Sequence, residues 1–360
     1  MGLRPSFHPL SSQEGRAQAS IDFWEEGEDM DMTRRETVGL IGGAAATAML
    51  ASAGPALAQG QRRLGSREKT MYWVATVTPC NRNGDFDAGA LAAIMQWHKQ
   101  CGADGVMVLG TSGEFPSFSV AERKLILETA LKNKNGLNIM MNPGTPNIAE
   151  TIDLAKHAEA SGADGMLVIP PFYFNEPPVD GLTRYFSMLF DAVQIPINLY
   201  HIPGTSEVPI SIELLKNLHH YPHLAGIKDS SGSPEGFAAF LKAFPDLNMR
   251  AGTSNNLELA LDNGMGTILA DGNSFSRKCA DIFTAYRAKG DWKGALQKLR
   301  TAMQTMRGAN GGANTYATMK FILSQEMGGG DWYPRAPYVP LTDAQKASLK
   351  AALDRVKAMG

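Results

Sequence analysis

A chain of 360 residues with 44% hydrophobic content is long enough for one large barrel or two ordinary domains and fills a sizeable core, which excludes a largely disordered protein. A formal net charge of −2 provides no global positive field, so nucleic acid and anionic membrane are poor partners and a small-molecule site is expected. The three cysteines, Cys80, Cys101 and Cys279, are odd in number and lack Cys-x-x-Cys or Cys/His spacing, so buried thiols are expected rather than a disulfide framework or a metal site.

Residues 1–69 read as an N-terminal tail. Within it, Thr33-Arg34-Arg35-Glu36 leads into an apolar run rich in Ala and Gly from Val38 to Ala53, and Ala56-Leu57-Ala58 precedes Gln59. That is the three-part layout of a secretory signal over residues 32–58. The run is shorter than the roughly 20 residues of a bilayer-spanning helix, so a cleaved signal is expected, with no stable membrane anchor afterwards. The paired arginines resemble a twin-arginine signal, which implies export of the folded protein to the periplasm. The acidic run Glu25, Glu26, Glu28, Asp29 and Asp31 is unlike a signal head and makes Met32 an alternative start.

From Tyr72 onward, short apolar runs bounded by turn residues alternate with longer amphipathic segments, the pattern of repeated βα units around a parallel sheet. The expected strands are Tyr72–Val77, Gly105–Leu109, Asn138–Met141, Gly165–Ile169, Ile197–Tyr200, Ala225–Lys228, Met249–Gly252 and Thr267–Ala270. Two units share a near-identical entry, Cys101-Gly102-Ala103-Asp104-Gly105 and Ser161-Gly162-Ala163-Asp164-Gly165, in which glycine ends a helix and a tight turn starts a strand. Eight such units over residues 70–290 predict an α/β fold, a closed (β/α)8 TIM barrel, with functional groups at the C-terminal ends of its strands. The rival, a doubly wound open sheet, lacks a Gly-x-Gly-x-x-Gly fingerprint after the first strand. Residues 291–360 are expected to form a helical extension, over Trp292 to Gln325 and Asp343 to Met359.

Polar residues at the expected strand ends carry the chemistry. Lys228, directly after the apolar Gly226-Ile227, sits where partial burial favours the free, nucleophilic amine, although a lone lysine at a strand end is more often a solvated edge residue. Tyr200 ends the neighbouring strand and is placed to move a proton, unless it merely packs. Gly110-Thr111-Ser112-Gly113-Glu114 forms a compact loop whose hydroxyls and backbone N–H groups suit a carboxylate, or a simple turn.

Taken in order and spacing, Thr78-Pro79, residues 110–114, Tyr200 with Pro203, Ile227-Lys228-Asp229-Ser230-Ser231 and Pro334-Arg335-Ala336-Pro337 resemble the dihydrodipicolinate synthase and N-acetylneuraminate lyase family over nearly everything after Tyr72. The resemblance implies a class I lyase on a barrel with a C-terminal helical part, a homotetramer or homodimer, using a lysine Schiff base and no metal or organic cofactor. It implies Lys228 as the Schiff-base lysine, Tyr200 as the proton-transfer tyrosine, and Thr111 and Ser112, next to Gly113, as the hydroxyl pair that binds the substrate carboxylate and orients Tyr200. One imine would serve aldol cleavage, aldol addition and dehydration alike, so the resemblance fixes mechanism more firmly than substrate.

Departures from the family pattern narrow the substrate. Dihydrodipicolinate synthases usually carry an arginine two residues after the proline of the fifth-strand motif; here Thr205 stands there, and a bidentate carboxylate contact is lost. Within Pro171-Phe172-Tyr173-Phe174-Asn175, Phe174 occupies the position of a relay tyrosine that reaches a neighbouring subunit in relatives, with Tyr173 as its possible replacement. Ile268 aligns with a segment that lines the pocket, and His201 replaces a common asparagine. The expected function is therefore an aldolase or dehydratase acting on a 2-oxo acid, such as a 2-oxo-3-deoxy sugar acid, with pyruvate as a possible product. The alternatives are dihydrodipicolinate synthase, N-acetylneuraminate lyase, and a non-catalytic periplasmic 2-oxo acid binding protein.

Overall fold

The computed structural model describes residues 72–359, so the expected export signal lies outside the described residues. Eight strands follow in chain order: β1 (Tyr72–Ala75), β2 (Gly105–Val108), β3 (Asn138–Met141), β4 (Gly165–Val168), β5 (Ile197–His201), β6 (Leu224–Asp229), β7 (Asn248–Ala251) and β8 (Thr267–Leu269). Each pairs in parallel with the next, and β8 returns to β1, closing an eight-stranded barrel. The strands read as continuous apolar runs rather than alternating ones because both faces are covered, one by the barrel interior and the other by helices. Each lies within two residues of its expected bounds at either end.

The helices between strands are α1 (Ala88–Gln100), α2 (Val120–Lys132), α3 (Ile148–Ala160), α4 (Val179–Ala192), the short α5 (Pro203–Ser206), α6 (Ile212–Leu218), α7 (Pro234–Ala243), α8 (Leu257–Asp262) and α9 (Ser276–Arg287). Local chemistry starts several of them: Asp87, Asn147 and Ser233 cap α1, α3 and α7, and Ser119 with Glu122 forms a reciprocal capping box on α2. The repeated Gly-Ala-Asp-Gly entry now has a physical reason. Gly102 and Gly162 take left-handed backbone after α1 and α3, with φ of 94° and 80°. The aspartate that follows accepts a backbone N–H from the start of the preceding strand, Asp104 from Tyr72 at 2.7 Å and Asp164 from Ile139 at 2.8 Å. The motif thus sets the register between neighbouring strands.

Alternation along the strands decides what faces inward. Tyr72 points out and stacks on Phe283 of α9, with ring centroids 5.0 Å apart, whereas Trp73 points in. Gly105, opposite Trp73 on β2, is obligatory: a Cβ there would lie 2.4 Å from the indole. The three cysteines are buried free thiols.

Beyond the barrel come α10 (Trp292–Met306), α11 (Thr315–Glu326) and α12 (Asp343–Ala358). The single helical segment expected from Trp292 to Gln325 is two helices. Gly308, Gly311 and Gly312 take positive φ between them, and Asn314 caps α11 by accepting from Ala317 N–H at 2.8 Å. Among the described residues, no helix is long and apolar enough to cross a membrane.

Candidate active site

Parallel register brings Lys228 of β6 level with Tyr200 of β5 and Arg250 of β7, so all three side chains enter the barrel near its C-terminal mouth. Lys228 is 3% exposed, and its Nζ donates to the Tyr200 hydroxyl at 3.1 Å. Burial alone would raise the Tyr200 phenol. The Lys228 charge, with side-chain interactions from Thr111, Lys228 and Ser230, outweighs burial and brings it below its ordinary value. An amine and an acidified phenol in contact are the pair needed to attack a carbonyl and to move the protons that follow.

Space for Lys228 depends on Gly252, just past β7. A Cβ there would meet Ser230 Oγ at 2.0 Å, the Asp229 carbonyl at 2.8 Å and Lys228 Cε at 2.9 Å. The Asp229 carboxylate turns back to accept Ser231 N–H at 2.7 Å, which fixes the chain as it leaves β6.

The loop after β2 is held under strain. Leu109 and Glu114 flank it with φ of 59° and 53°, costly for residues with a side chain. What restrains it is the Glu114 carboxylate. One oxygen lies 2.5 Å from Lys320 Nζ of α11 with both side chains buried, and the other accepts the Arg335 N–H at 2.9 Å. Thr78 Oγ1 donates to the Gly113 carbonyl at 2.8 Å, tying the loop to the end of β1. Ser112 is buried on the loop. The Thr111 and Ser230 hydroxyl oxygens are buried and interact with Tyr200, yet neither closes a hydrogen bond of ordinary geometry, and Thr253 Oγ1 is likewise buried without a partner. The Thr111 and Ser230 hydroxyls, from the ends of β2 and β6, thus meet at the Tyr200 phenol.

The structure brings Lys228, Tyr200, Thr111, Ser112 and Gly113 to one mouth. Ile268, level with Trp73, is fully buried in the interior of β8. Two other expected site residues stand apart in this chain. Thr205 is exposed on α5, and Tyr173 is 84% exposed on the loop after β4, its ring edge-on to Phe174. His201 packs as a half-buried polar residue: its Nδ1 accepts the Ile210 N–H at 3.0 Å, and burial lowers its pKa. Asn273, at the end of β8, spends its amide on β1, donating to the Ala75 carbonyl at 2.8 Å and accepting from Val77 N–H at 3.2 Å.

Several groups at or below the mouth escaped the sequence reading. Arg250 is 1% exposed, lies 5.5 Å from the Trp73 ring centre, and has its guanidinium lowered to about 10 by burial. Its signal was a charge set between the apolar Met249 and Ala251. Asp271, after β8, has its carboxyl pushed up to about 6 by burial, with the Lys228 charge acting in the opposite direction. Among the described residues no His, Cys, Asp and Glu side chains are grouped in threes to hold a metal ion.

The model of the Dihydrodipicolinate synthetase family matches residues 69–356. The 4-hydroxy-tetrahydrodipicolinate synthase of Acidiphilium cryptum is 33% identical over 285 residues, covering 78% of this chain and 96% of that protein. An uncharacterized DapA-like lyase of Chloroflexus aurantiacus is 32% identical over 290 residues, 79% of this chain and 96% of that one. Among solved structures, YagE, a prophage protein from E. coli K12 crystallised with pyruvate, superposes with a TM-score of 0.73 at 26% identity, over 80% of this chain and 98% of its own. A sialic acid aldolase of Ruminococcus gnavus shares the fold, with a TM-score of 0.74 at 22% identity, over 80% of this chain and 97% of its own.

Proposed function

The chain belongs to the dihydrodipicolinate synthetase family and is a Schiff-base lyase of the class I aldolase type; on that premise we propose that Lys228 forms the imine and that the substrate is a 2-oxo-3-deoxy sugar acid. The observation that carries this reading is the contact of Lys228 Nζ with Tyr200 at 3.1 Å, with the buried Thr111 and Ser230 hydroxyls also interacting with that phenol. The amine adds to the 2-oxo carbon, and Tyr200 supplies the proton with which the carbinolamine hydroxyl leaves as water. The resulting iminium nitrogen accepts the electron pair released when the adjacent bond breaks, so the electron sink is the imine itself. The Thr111 and Ser112 hydroxyls and the Ser112 backbone N–H hold the substrate carboxylate, while the Gly113 N–H closes the turn on the Gly110 carbonyl at 3.0 Å.

Two features favour a polyhydroxylated substrate over the condensation that makes dihydrodipicolinate. Thr205 is exposed on α5 and offers no guanidinium to a second carboxylate. The buried Thr253 hydroxyl, which has no partner of its own, suits a substrate that itself carries hydroxyls. Release of the folded enzyme through the paired-arginine segment fits a catabolic role outside the cytoplasm better than a biosynthetic one within it.

The test is a panel of 2-oxo-3-deoxy sugar acids, N-acetylneuraminate, and pyruvate with an aldehyde, with release or consumption of pyruvate followed directly. Turnover of a 3-deoxy sugar acid that disappears in Lys228→Ala supports the reading. Turnover confined to the condensation reaction would replace it with dihydrodipicolinate synthesis.

A further inference from the structure

Side chains that fill a (β/α)8 barrel stack in layers of four, each layer drawn from alternate strands. Two contacts identify a layer from the odd strands: the Arg250 guanidinium of β7 lies 5.5 Å from the Trp73 ring centre of β1, and Asn198 Nδ2 of β5 donates to Met140 Sδ of β3 at 3.9 Å. Two residues further along each strand, on the same face, stand Ala75, Asn142, Tyr200 and Gly252, the layer that meets the mouth. Ala75 and Gly252 leave half of that layer nearly empty, and Lys228 Cε borders the space, 2.9 Å from where a Gly252 Cβ would be.

Asn142 is fully buried in this layer. Its Oδ1 accepts the Gly144 N–H at 3.0 Å and the Ile169 N–H at 3.3 Å, which fixes which way round the amide lies. Arg123 Nη2 donates to the Asn142 carbonyl at 2.7 Å from the helix side. The Asn142 Nδ2 is left with no partner among the described residues. A donor that is buried, held and unpaired in the layer of Tyr200 is one kept for a ligand.

We propose that Asn142 is a catalytic residue of the aldol step, donating from Nδ2 to the C4 oxygen of the substrate. The inference deepens the function proposed above and rests on the imine at Lys228. With the carboxylate on the loop after β2 and C2 on Lys228, the C4 oxygen is the one that exchanges its proton with Tyr200, the neighbour of Asn142 in the layer. In cleavage the Tyr200 phenolate, formed when the carbinolamine hydroxyl left as water, takes the C4 hydroxyl proton. The oxygen electron pair becomes the C=O bond of the departing aldehyde. The C3–C4 pair forms C2=C3, and the C2=N pair settles on nitrogen to give the enamine. Tyr200 returns the proton to C3, and water then releases pyruvate from Lys228. Negative charge passes through the C4 oxygen between hydroxyl and carbonyl, so a fixed N–H there binds the transition state more tightly than either end state. Pyruvate has no C4, and its own imine chemistry makes no use of Asn142.

The full native chain is compared with Asn142→Asp, which keeps both bonds to Oδ1 and loses the donor, and with Asn142→Ala, which loses the amide without adding charge. Two reactions are followed: exchange of the pyruvate methyl protons in deuterium oxide, with borohydride trapping alongside, and aldol addition of pyruvate to glyceraldehyde. The proposal expects exchange within about threefold of native while kcat for addition falls roughly a hundredfold, the scale of losing one oxyanion donor. That separation in either variant supports it. If neither variant separates the two reactions, because both stay native or because both fall together, the proposal is wrong. A native chain that traps pyruvate and adds it to no aldehyde would overturn the proposal and leave the imine standing. A native chain that traps no pyruvate would overturn both.

Discussion

Replacing Lys320 with methionine removes the charge that faces Glu114 while keeping most of the side chain's bulk. Both partners are buried, at 0% and 1% side-chain exposure, so water has no access to take over the lost interaction. Breaking a buried pair on one side costs about 3–5 kcal/mol, because the remaining carboxylate is left uncompensated. For a domain of this size, that lowers Tm by roughly 10 °C. The loss is local as well as global. Glu114 sits in left-handed backbone at the end of the loop after β2, and its ion pair is what holds that strained geometry, so Thr111 and Ser112 should lose their positions and turnover should fall with stability. Thermal and urea unfolding of Lys320→Met, Glu114→Gln and the double variant form a cycle that isolates the pair from the packing of each chain. The double variant is expected to recover a large part of the stability of Lys320→Met but not its activity. A Lys320→Met protein within about 1 kcal/mol of native would refute the argument that this pair clamps the extension to the loop.

Asp271 gives a pH test. Burial raises its folded-state pKa from 3.8 to about 6, so the folded chain binds the proton more tightly than the unfolded chain, and stability falls as pH rises through that window. Asp271→Asn should therefore stabilise by on the order of 2–3 kcal/mol at pH 7 and by little near pH 4; equal gains at both would show that the carboxyl titrates normally. Gly252→Ala forces a methyl group against Ser230 and Lys228 Cε, and turnover should drop well over tenfold, with native kinetics as the contrary result. Tyr200→Phe should lower kcat by roughly 10²–10⁴ with little change in KM, and a KM effect alone would demote the phenol to a binding group.

Much of the architecture was legible because a barrel with both faces covered leaves a plain mark: eight short apolar runs at regular spacing, each followed by a helix. The repeated Gly-Ala-Asp-Gly entries were visible too, although their role in bonding to the preceding strand was not. Lys228 and Tyr200 were readable as strand-end residues because register converts equal position along neighbouring strands into contact. Arg250 was passed over because strand alternation alone does not tell an inward charge from an outward one. Lys320 left no local trace at all. It reaches the loop after β2 by pairing with Glu114, more than two hundred positions away. The break between α10 and α11 was hidden for a simpler reason: helical spacing resumes after Gly308-Ala309-Asn310-Gly311-Gly312, and the reading carried across it.

The claim on which the rest depends is the imine at Lys228, and borohydride reduction in the presence of pyruvate, followed by peptide mass spectrometry, reaches it directly. The account predicts a reduced pyruvyl adduct on the peptide containing Ile227-Lys228-Asp229 and none in Lys228→Ala. A folded protein that forms no adduct with pyruvate or any other 2-oxo acid, or forms one on a different lysine, would contradict it.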